Sequence, residues 1–292
     1  MTNRKNWEIG SSTSAAVECS PEAFKAFSDA GIRKTEVSYG IRYIKELDYI
    51  AKHKEYKKYA DEYGVALYSF HLPFNGDYTV SDRNLERRRR VIDEMKRYIE
   101  VAAEDGAKTI VLHPSSEPIA EENRARELEL SLEGTGELIE TCKKCGTILC
   151  IEDLPRTCLL NCSFEALTYL NTFPELQLCF DANHLLMQTN EDFLQDLLDN
   201  GMKGRIGTLH ISDYDFIDER HVLPGCGVGI NDWKMILDKL EQLDYNGIFM
   251  YEPSSKMLEP LDSKTVPCAH REDGYLRVLG DITENYKWLM SL

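Results

Sequence analysis

The chain has 292 residues, which matches the length that one eight-stranded α/β barrel with insertions requires. Apolar residues make up 42% of it, enough to bury a large core, so a folded protein is expected rather than a disordered one. The formal charge of −16 and the pI near 4.9 argue against non-specific attraction to nucleic acid or to an anionic membrane, because both carry the same sign of charge.

The first twelve residues, MTNRKNWEIGSS, are polar and lack the basic and then apolar pattern of a secretory signal. The sequence also contains no run of eighteen or more apolar residues that could form a membrane-spanning helix. We therefore expect a cytoplasmic protein with neither membrane nor nucleic acid among its partners.

A helix, a glycine and a short apolar strand recur along the chain. Examples are AFKAFSDAG before IRKTEVSY and LIETCKKCG before TILCIEDLP. Glycine accepts the left-handed conformation that ends a helix, and short apolar runs suit strands buried on both faces. We predict such helix ends at Gly31, Gly64, Gly106, Gly146 and Gly247.

Eight strands alternate with eight helices in the predicted order. The strands are predicted near residues 7–13, 32–39, 65–73, 107–114, 147–155, 176–183, 207–213 and 248–253. The helices are predicted near residues 20–30, 44–63, 82–105, 121–145, 163–173, 191–200, 232–243 and 280–292. This alternation predicts an α/β fold, a closed (β/α)8 TIM barrel that spans residues 1–292 as a single domain. An open doubly wound sheet is the alternative, but no G-x-G-x-x-G follows the first strand.

Residues 258–274, between the last strand and the final helix, are polar and contain two prolines. This segment is expected to form a long loop over the mouth of the barrel, where loops often act as lids.

The nine cysteines are odd in number and scattered, which favours reduced thiols over a disulfide framework. Cys142 and Cys145, with Cys158 and Cys162, superficially resemble a zinc site. A predicted strand of six residues separates the two pairs by roughly 20 Å, so we expect inert thiols instead.

Side chains that can bind a metal stand at the ends of six successive predicted strands. Their carboxyl ends share one rim of a barrel, so these side chains should converge. They are His71, His113, Glu152, Asp181, His210 and Glu252.

A single histidine or glutamate at a strand end could simply cap a loop or pair with an arginine. Several carboxylates at one rim would repel one another and lose hydration, and a cation removes that cost. Two or three carboxylates with one imidazole suit Mn²⁺, Mg²⁺, Zn²⁺ or Co²⁺. We therefore predict one divalent metal ion, with room for additional ions.

Several motifs together resemble the xylose-isomerase-like TIM barrels, a superfamily of sugar and sugar-phosphate isomerases and epimerases with abasic-site endonuclease relatives. These motifs are CIEDLP, FDANH, LHISD, DERHVLPGCGVGINDW and YEP, and the resemblance covers nearly the whole chain. It implies a metal-dependent isomerase or epimerase that binds a small sugar or polyol, with or without a phosphate group. It also implies a chain that can form homo-oligomers.

The resemblance to the ketose 3-epimerases implies roles for individual residues. Glu152, Asp181, His210 and Glu252 would bind the metal. Glu152 and Glu252 would also transfer protons next to a carbonyl that the metal polarises. His71, His113, His184 and His221 would bind substrate hydroxyl groups. Glu36 is a weaker candidate for the same wall, and pairing with a nearby lysine or arginine is as plausible for it.

The endonuclease branch is the alternative, because a multi-zinc site for phosphodiester hydrolysis uses more histidines. Nine residues fit that pattern, although Glu219 stands where an aspartate is usual: His71, His113, Glu152, Asp181, His184, His210, Glu219, His221 and Glu252. The predicted rim loops are neutral or acidic, which argues against DNA. A catalytically silent binding protein is a third hypothesis.

Two other segments carry expectations. Arg87–Arg90 form the one basic run, and neighbouring Glu86, Asp93 and Glu94 predict a solvated helix face with i, i+4 pairs. PGCGVG, residues 224–229, lacks the spacing of a phosphate loop and predicts a turn with left-handed glycines that positions His221.

Overall fold

The computed structural model describes residues 4–15, 20–38, 49–74, 76–252 and 275–292. Eight parallel strands form the sheet, in the spatial order β7-β6-β5-β4-β3-β2-β1-β8. They are β1 Glu8–Ser12, β2 Lys34–Ser38, β3 Ala66–His71, β4 Thr109–Leu112, β5 Ile148–Glu152, β6 Gln177–Asp181, β7 Ile206–His210 and β8 Ile248–Tyr251.

The ring closes between β7 and β8, just beyond the last residue of β7. The backbone N–H of Ile211 donates to the carbonyl of Met250 at 2.8 Å, and the N–H of Glu252 donates to the carbonyl of Ile211 at 3.2 Å. These bonds complete the eight-stranded barrel, so the predicted (β/α)8 fold is confirmed and the open doubly wound sheet was the wrong alternative.

Eight α-helices of the described residues surround the strands. They are α1 Pro21–Asp29, α2 Tyr49–Tyr63, α3 Leu85–Glu104, α4 Glu121–Cys145, α5 Ser163–Thr172, α6 Asn190–Asp199, α7 Trp233–Gln242 and α8 Tyr275–Leu289. Short 3-10 helices occur at Arg4–Asn6 and Thr13–Ala15. The part of the second predicted helix before residue 49 and the predicted lid at 258–274 lie outside the described residues.

Side chains with a local hydrogen-bonding role begin several helices. The Asn84 side chain accepts from the backbone N–H of Arg87 and caps α3, while Asp232 caps α7 in the same way through Met235. Such caps satisfy N–H groups that the helix itself leaves without partners. They fix where each helix starts and hence the length of the rim loop before it.

Glycine ends four of the five helices at which it was predicted to do so. Gly31, Gly64, Gly106 and Gly146 all have positive φ. The fifth prediction was wrong, because Asp244 takes the left-handed conformation after α7, with φ of 58°. Aspartate tolerates this conformation better than most residues, so the turn comes three residues before Gly247.

The basic run Arg87–Arg90 is solvated only in part: Arg89 and Arg90 are exposed, as predicted, whereas Arg88 is buried. Arg88 is 5% exposed, and its guanidinium donates to the carbonyls of Val80 and Leu130. Arg89 pairs with Glu137 of α4 at 2.7 Å rather than with an acid one turn away. Arg88 and Arg89 therefore join α3 to neighbouring segments.

A small apolar layer fills the barrel beneath the carboxyl rim. Cys150 and Cys179 are buried against Val111 there. They lie two residues before Glu152 and Asp181, and a period of two places them on the same face of the sheet as those carboxylates. The side chains of Glu152 and Asp181 therefore lie next above this apolar layer, toward the mouth of the barrel.

Candidate active site at the carboxyl ends of the strands

His210 lies at the centre of a group of carboxylates. It ends β7 and is fully buried. Its Nδ1 lies 2.8 Å from Oε1 of Glu152 and 3.0 Å from Oε2 of Glu252. Oδ2 of Asp181, at the end of β6, lies 3.7 Å from the same nitrogen. The four predicted metal ligands thus meet at one place, with a donor atom from each within 4.8 Å of the others.

Glu152 also contacts two other imidazoles. Nε2 of His71 and Nε2 of His113 each lie 3.0 Å from its Oε2. The His71 ring is oriented by a 2.8 Å contact between Nδ1 and the carbonyl oxygen of Leu72. Both histidines therefore lie within the site, and their predicted contact with substrate hydroxyls stays a prediction.

The carboxylate of Asp181 shows that these residues fit a cation. Its Oδ1 accepts a hydrogen bond from the N–H of Asn183 at 2.6 Å, whereas Oδ2 is buried without a hydrogen-bond partner among the described residues. A buried carboxylate oxygen without a partner is costly, and a coordinated ion would satisfy it. Three carboxylates and one imidazole are suitable ligands for a divalent ion of the Mn²⁺, Mg²⁺, Zn²⁺ and Co²⁺ group.

The charge states agree with this fit. Burial alone would raise the pKa of Glu152, but His210 and His113 hold that pKa well below its usual value. Burial also opposes ionisation of Glu252, yet His210 lowers its pKa to about 2. Conversely, burial would lower the pKa of His210, but the surrounding carboxylates raise it well above the ordinary value. Both glutamates are anions near neutral pH, which a metal ligand and a general base require.

A second group of three side chains lies beside the first: His184, Glu219 and His221. Nδ1 of His184 is 3.4 Å from Oδ2 of Asp181, which links the two groups. Oε2 of Glu219 lies 3.9 Å from Nε2 of His184 and 3.4 Å from Nε2 of His221. The structure therefore places all nine residues of the endonuclease pattern around one pocket.

Arg156 binds the other oxygen of Glu219. It lies in the loop after β5, and its Nη2 is 2.5 Å from Oε1 of Glu219 and 2.5 Å from Oε1 of Glu117. Its Nη1 is 2.9 Å from Oδ1 of Asp218. Acids surround this guanidinium and neutralise its charge, so Arg156 does not supply the free positive charge that a DNA-binding rim needs.

Asn183 holds the backbone at His221. The Asn183 side-chain oxygen accepts hydrogen bonds from the N–H groups of Arg220 at 3.0 Å and His221 at 2.8 Å. His221 has a φ of 46°, an uncommon conformation that these bonds support. Asn183 was not predicted from the sequence, although its position between Asp181 and His184 in FDANH was a usable signal.

The PGCGVG segment folds as predicted but supports His221 only indirectly. Gly225 and Gly227 have φ of 73° and 91°, which confirms the left-handed glycines. The segment packs beside Asp213, whose carboxylate accepts from the indole Nε1 of Trp233 at 2.7 Å. The backbone of Asp213 pairs in both directions with Val222, the residue after His221.

Glu36 contacts a histidine instead of a lysine or arginine. Its Oε1 lies 2.8 Å from Nε2 of His210, and its Oε2 accepts from the hydroxyl of Ser69 at 2.6 Å. The expected pairing with a basic side chain was wrong. Glu36 also does not line the substrate wall, where it was the weaker candidate. Both of its carboxylate oxygens contact protein groups, and the residue is fully buried.

The cysteines do not form a metal site among the described residues. None of the candidate cation groups found there contains a cysteine. Burial raises the pKa of Cys142 and of Cys158 to about 12, so these thiols stay protonated. Cys19 and Cys268 lie outside the described residues.

Carboxylates and imidazoles converge at the carboxyl rim of this parallel barrel. The protein is therefore a TIM barrel whose rim carries side chains suited to a cation. Residues 24–276 match the family described as xylose isomerase-like TIM barrel. The chain belongs to that family.

Other proteins resemble the chain at lower identity. An uncharacterised protein of Methanocaldococcus jannaschii is 26% identical over 202 residues, which are 67% of this chain and 73% of that protein. The structure of D-psicose 3-epimerase from Clostridium cellulolyticum superposes with a TM-score of 0.74 at 15% identity, covering 97% of this chain and 99% of that one. The 3-keto-D-glucoside 4-epimerase of E. coli gives 0.69 at 20% identity, covering 98% and 100%. At these identities the structures show a shared fold.

The helices of the described residues are too short or too polar to cross a membrane.

Proposed function

We propose that the protein is a metal-dependent sugar isomerase or epimerase in which Glu152 and Glu252 transfer protons next to a carbonyl. One observation carries the proposal: Glu152, Asp181, His210 and Glu252 place four donor atoms within 4.8 Å of one another at the mouth of the barrel. The named enzymes with the same fold, D-psicose 3-epimerase and 3-keto-D-glucoside 4-epimerase, act on sugars.

A divalent ion held by these four side chains would act as a Lewis acid that polarises a sugar carbonyl and acidifies the adjacent C–H bond. Glu152 and Glu252 are both ionised and stand at the ends of different strands, so one can accept the proton from that carbon. The other would take up a proton from water and return it to the substrate. Return to the opposite face of the same carbon gives an epimer. Return to the former carbonyl carbon, together with transfer of the hydroxyl proton from one oxygen to the other, gives the aldose–ketose isomer.

Other residues of the pocket would bind and orient the sugar. His71 and His113 flank Glu152 on one side, while His184 and His221 lie on the side of Asp181 and Glu219. Imidazoles donate and accept hydrogen bonds, which suits a ring of hydroxyl groups.

The test uses a panel of ketoses, inosose-type polyols and their phosphates, assayed in D₂O with Mn²⁺ or Mg²⁺. Wild-type protein should form a product and place deuterium on the carbon next to the carbonyl of one panel member. Glu152→Gln and Glu252→Gln should each lower the turnover about 100-fold or more, because each removes one proton carrier. Product and deuterium are followed by NMR.

Glu165→Gln is the matched control. Glu165 is a glutamate of α5 with 6% exposure, and it pairs with Arg124 outside the four-ligand group. The control should retain the wild-type rate. Unchanged turnover in both Glu152→Gln and Glu252→Gln would refute the glutamate mechanism.

A phosphodiester hydrolase with a multi-zinc site is the second candidate, favoured by the group of His184, Glu219 and His221 beside the first. Its test is cleavage of a duplex with one abasic site, with bound zinc counted on the same sample. Cleavage with two or three ions per chain would support this candidate. Lack of cleavage with one bound ion would eliminate it, which is our expectation given the neutralised Arg156.

A further inference from the structure

The two ring nitrogens of His210 face different partners. Nδ1 faces Glu152 and Glu252, within the four-ligand group. Nε2 faces Oε1 of Glu36 at 2.8 Å, on the other side of the ring. A neutral imidazole carries one proton, and the nitrogen without it is the one that can bind a metal. The partner of Nε2 therefore determines what Nδ1 can do.

Glu36 is itself held in one orientation. Strand pairing between β2 and β3 places Glu36 opposite Ser69, after a shift of register between Thr35 and Glu36. The Ser69 hydroxyl then donates to Oε2 of Glu36 at 2.6 Å. Glu36, Ser69 and His210 all have an exposed fraction of 0%, so water cannot replace these bonds. Oε1 of Glu36 is thus left to face Nε2 as an acceptor.

We propose that Glu36 is a positioning residue that keeps the proton of His210 on Nε2 and thereby aims the lone pair of Nδ1 at the metal. In this arrangement Oε1 of Glu36 is the acceptor and Nε2 carries the hydrogen of the contact. A carboxylate behind a metal-binding histidine fixes the tautomer and the ring orientation and makes the ligand nitrogen more basic. Ser69 extends the chain of contacts by fixing Glu36. Glu36 would touch neither metal nor substrate.

The inference builds on the proposed metal site, but its test uses zinc alone and no sugar. Zinc affinity is measured by competition with a chelating dye for wild type, Glu36→Leu, Glu36→Gln and Ser69→Ala. Glu36→Leu removes the acceptor and should weaken zinc binding about 10-fold to 100-fold. Glu36→Gln keeps a neutral acceptor of the same shape, so its loss should be smaller. Ser69→Ala should weaken binding in the same direction by less than Glu36→Leu.

Thr35→Val is the matched control in the same strand. Thr35 is fully buried, and its hydroxyl donates to the carbonyl of Ala66 at 3.2 Å, away from His210. This variant should bind zinc like wild type although it also loses a side-chain hydrogen bond. Far-UV circular dichroism and thermal melting check the fold of each variant, and Glu36→Gln with Ser69→Ala decides the matter if Glu36→Leu does not fold.

A spectroscopic measurement separates positioning from simple stability. Long-range ¹H–¹⁵N NMR spectra of zinc-loaded protein, with the His210 signal assigned by its loss in His210→Asn, should show the proton on Nε2 in wild type. A proton on Nδ1, or wild-type zinc affinity in folded Glu36→Leu, would overturn the inference. If wild-type protein bound no zinc, the metal part of the proposed function would fail. The inference would be overturned with it, because no metal would then bind at Nδ1.

Discussion

The guanidinium of Arg156 and the carboxylate of Glu219 connect the loop after β5 to the loop after β7, with Nη2 and Oε1 2.5 Å apart. The same guanidinium also reaches Glu117 in the loop after β4. Arg156 is thus a bridge over three rim loops. Its side chain is 39% exposed, so water and salt screen these pairs.

Arg156→Gln should therefore change function more than stability. We expect the free energy of unfolding to fall by about 1 kcal/mol or less, because exposed ion pairs contribute little. We also expect the catalytic rate to fall several-fold, because Glu219 would no longer be held beside His184 and His221. Urea unfolding and the turnover assay measure the two effects. The exposed pair Arg126–Glu129 on α4 provides the control, since Arg126→Gln should leave the rate unchanged. A loss of rate in the control as large as in Arg156→Gln would contradict this role.

Acid should destabilise the protein partly through His53, a buried histidine of α2. Burial lowers its pKa to about 4, and the attraction of Asp105, 3.4 Å away, compensates only in part. The unfolded chain therefore binds this proton at higher pH than the folded protein. The contribution to stability is complete above about pH 6.5 and is lost as the pH falls toward 4.

His53→Gln should reduce this pH dependence. Between pH 7 and pH 5, the titration of His53 alone lowers the free energy of unfolding by about 2 kcal/mol, from 1.36 kcal/mol for each unit below pH 6.5. Urea unfolding at the two pH values gives the difference for each protein. Lys58→Gln, at an exposed position of the same helix, should keep the wild-type difference. If His53→Gln and wild type lost equal stability, the folded His53 would not have a lowered pKa.

The sequence was sufficient to predict the fold and the convergence of Glu152, Asp181, His210 and Glu252, for a physical reason. Helix and strand periodicity is local, and the carboxyl ends of parallel strands must meet at one rim. Glu152, Asp181 and His210 end successive strands, so their convergence follows from topology alone. No knowledge of side-chain conformation was needed.

The contacts that were missed depend on register and packing, which a single sequence does not encode locally. Glu36 meets His210 because a shift of register aligns it with Ser69. Arg88 is buried because α3 packs on α4, where Leu130 offers a carbonyl. Asp244, rather than Gly247, turns the chain after α7. In each case a tertiary contact overrides the local preference.

Asp181 provides a test of the metal that does not depend on catalysis. Its Oδ2 is buried without a hydrogen-bond partner among the described residues, 3.4 Å from His184 and 3.7 Å from His210. In metal-free protein a buried carboxylate oxygen without a hydrogen-bond partner costs stability, so Asp181→Asn should be as stable as wild type or more so. With the metal, wild type should gain about 2.7 kcal/mol at 100 times the dissociation constant.

Thermal melts with EDTA and then with excess Mn²⁺ compare the two proteins. Wild type should melt at a higher temperature with Mn²⁺, whereas Asp181→Asn should show little shift. Addition of Ca²⁺ in place of Mn²⁺ controls for general ionic effects. An equal shift in both proteins would mean that the ion binds elsewhere.

Alanine substitutions at two glycines test how closely the PGCGVG segment packs against Asp213. Gly229 belongs to the segment, and Gly280 of α8 is the control. A Cβ atom at Gly229 would lie 2.2 Å from the carboxylate of Asp213, whereas nothing lies within 4 Å of a Cβ at Gly280 of α8. Gly229→Ala must therefore displace Asp213 or the segment, and we expect a loss of about 1–3 kcal/mol in the free energy of unfolding. Gly280→Ala should raise that free energy by about 0.5–1 kcal/mol, because alanine favours a helix.

The same pair should differ in activity. Asp213 pairs with Val222 next to His221, so its displacement by Gly229→Ala should move His221 and raise KM for the sugar. Gly280→Ala changes only the outer face of a helix and should keep the wild-type KM. Urea unfolding and steady-state kinetics report the two effects separately. A stable Gly229→Ala protein with normal KM would show that the segment can shift without moving Asp213.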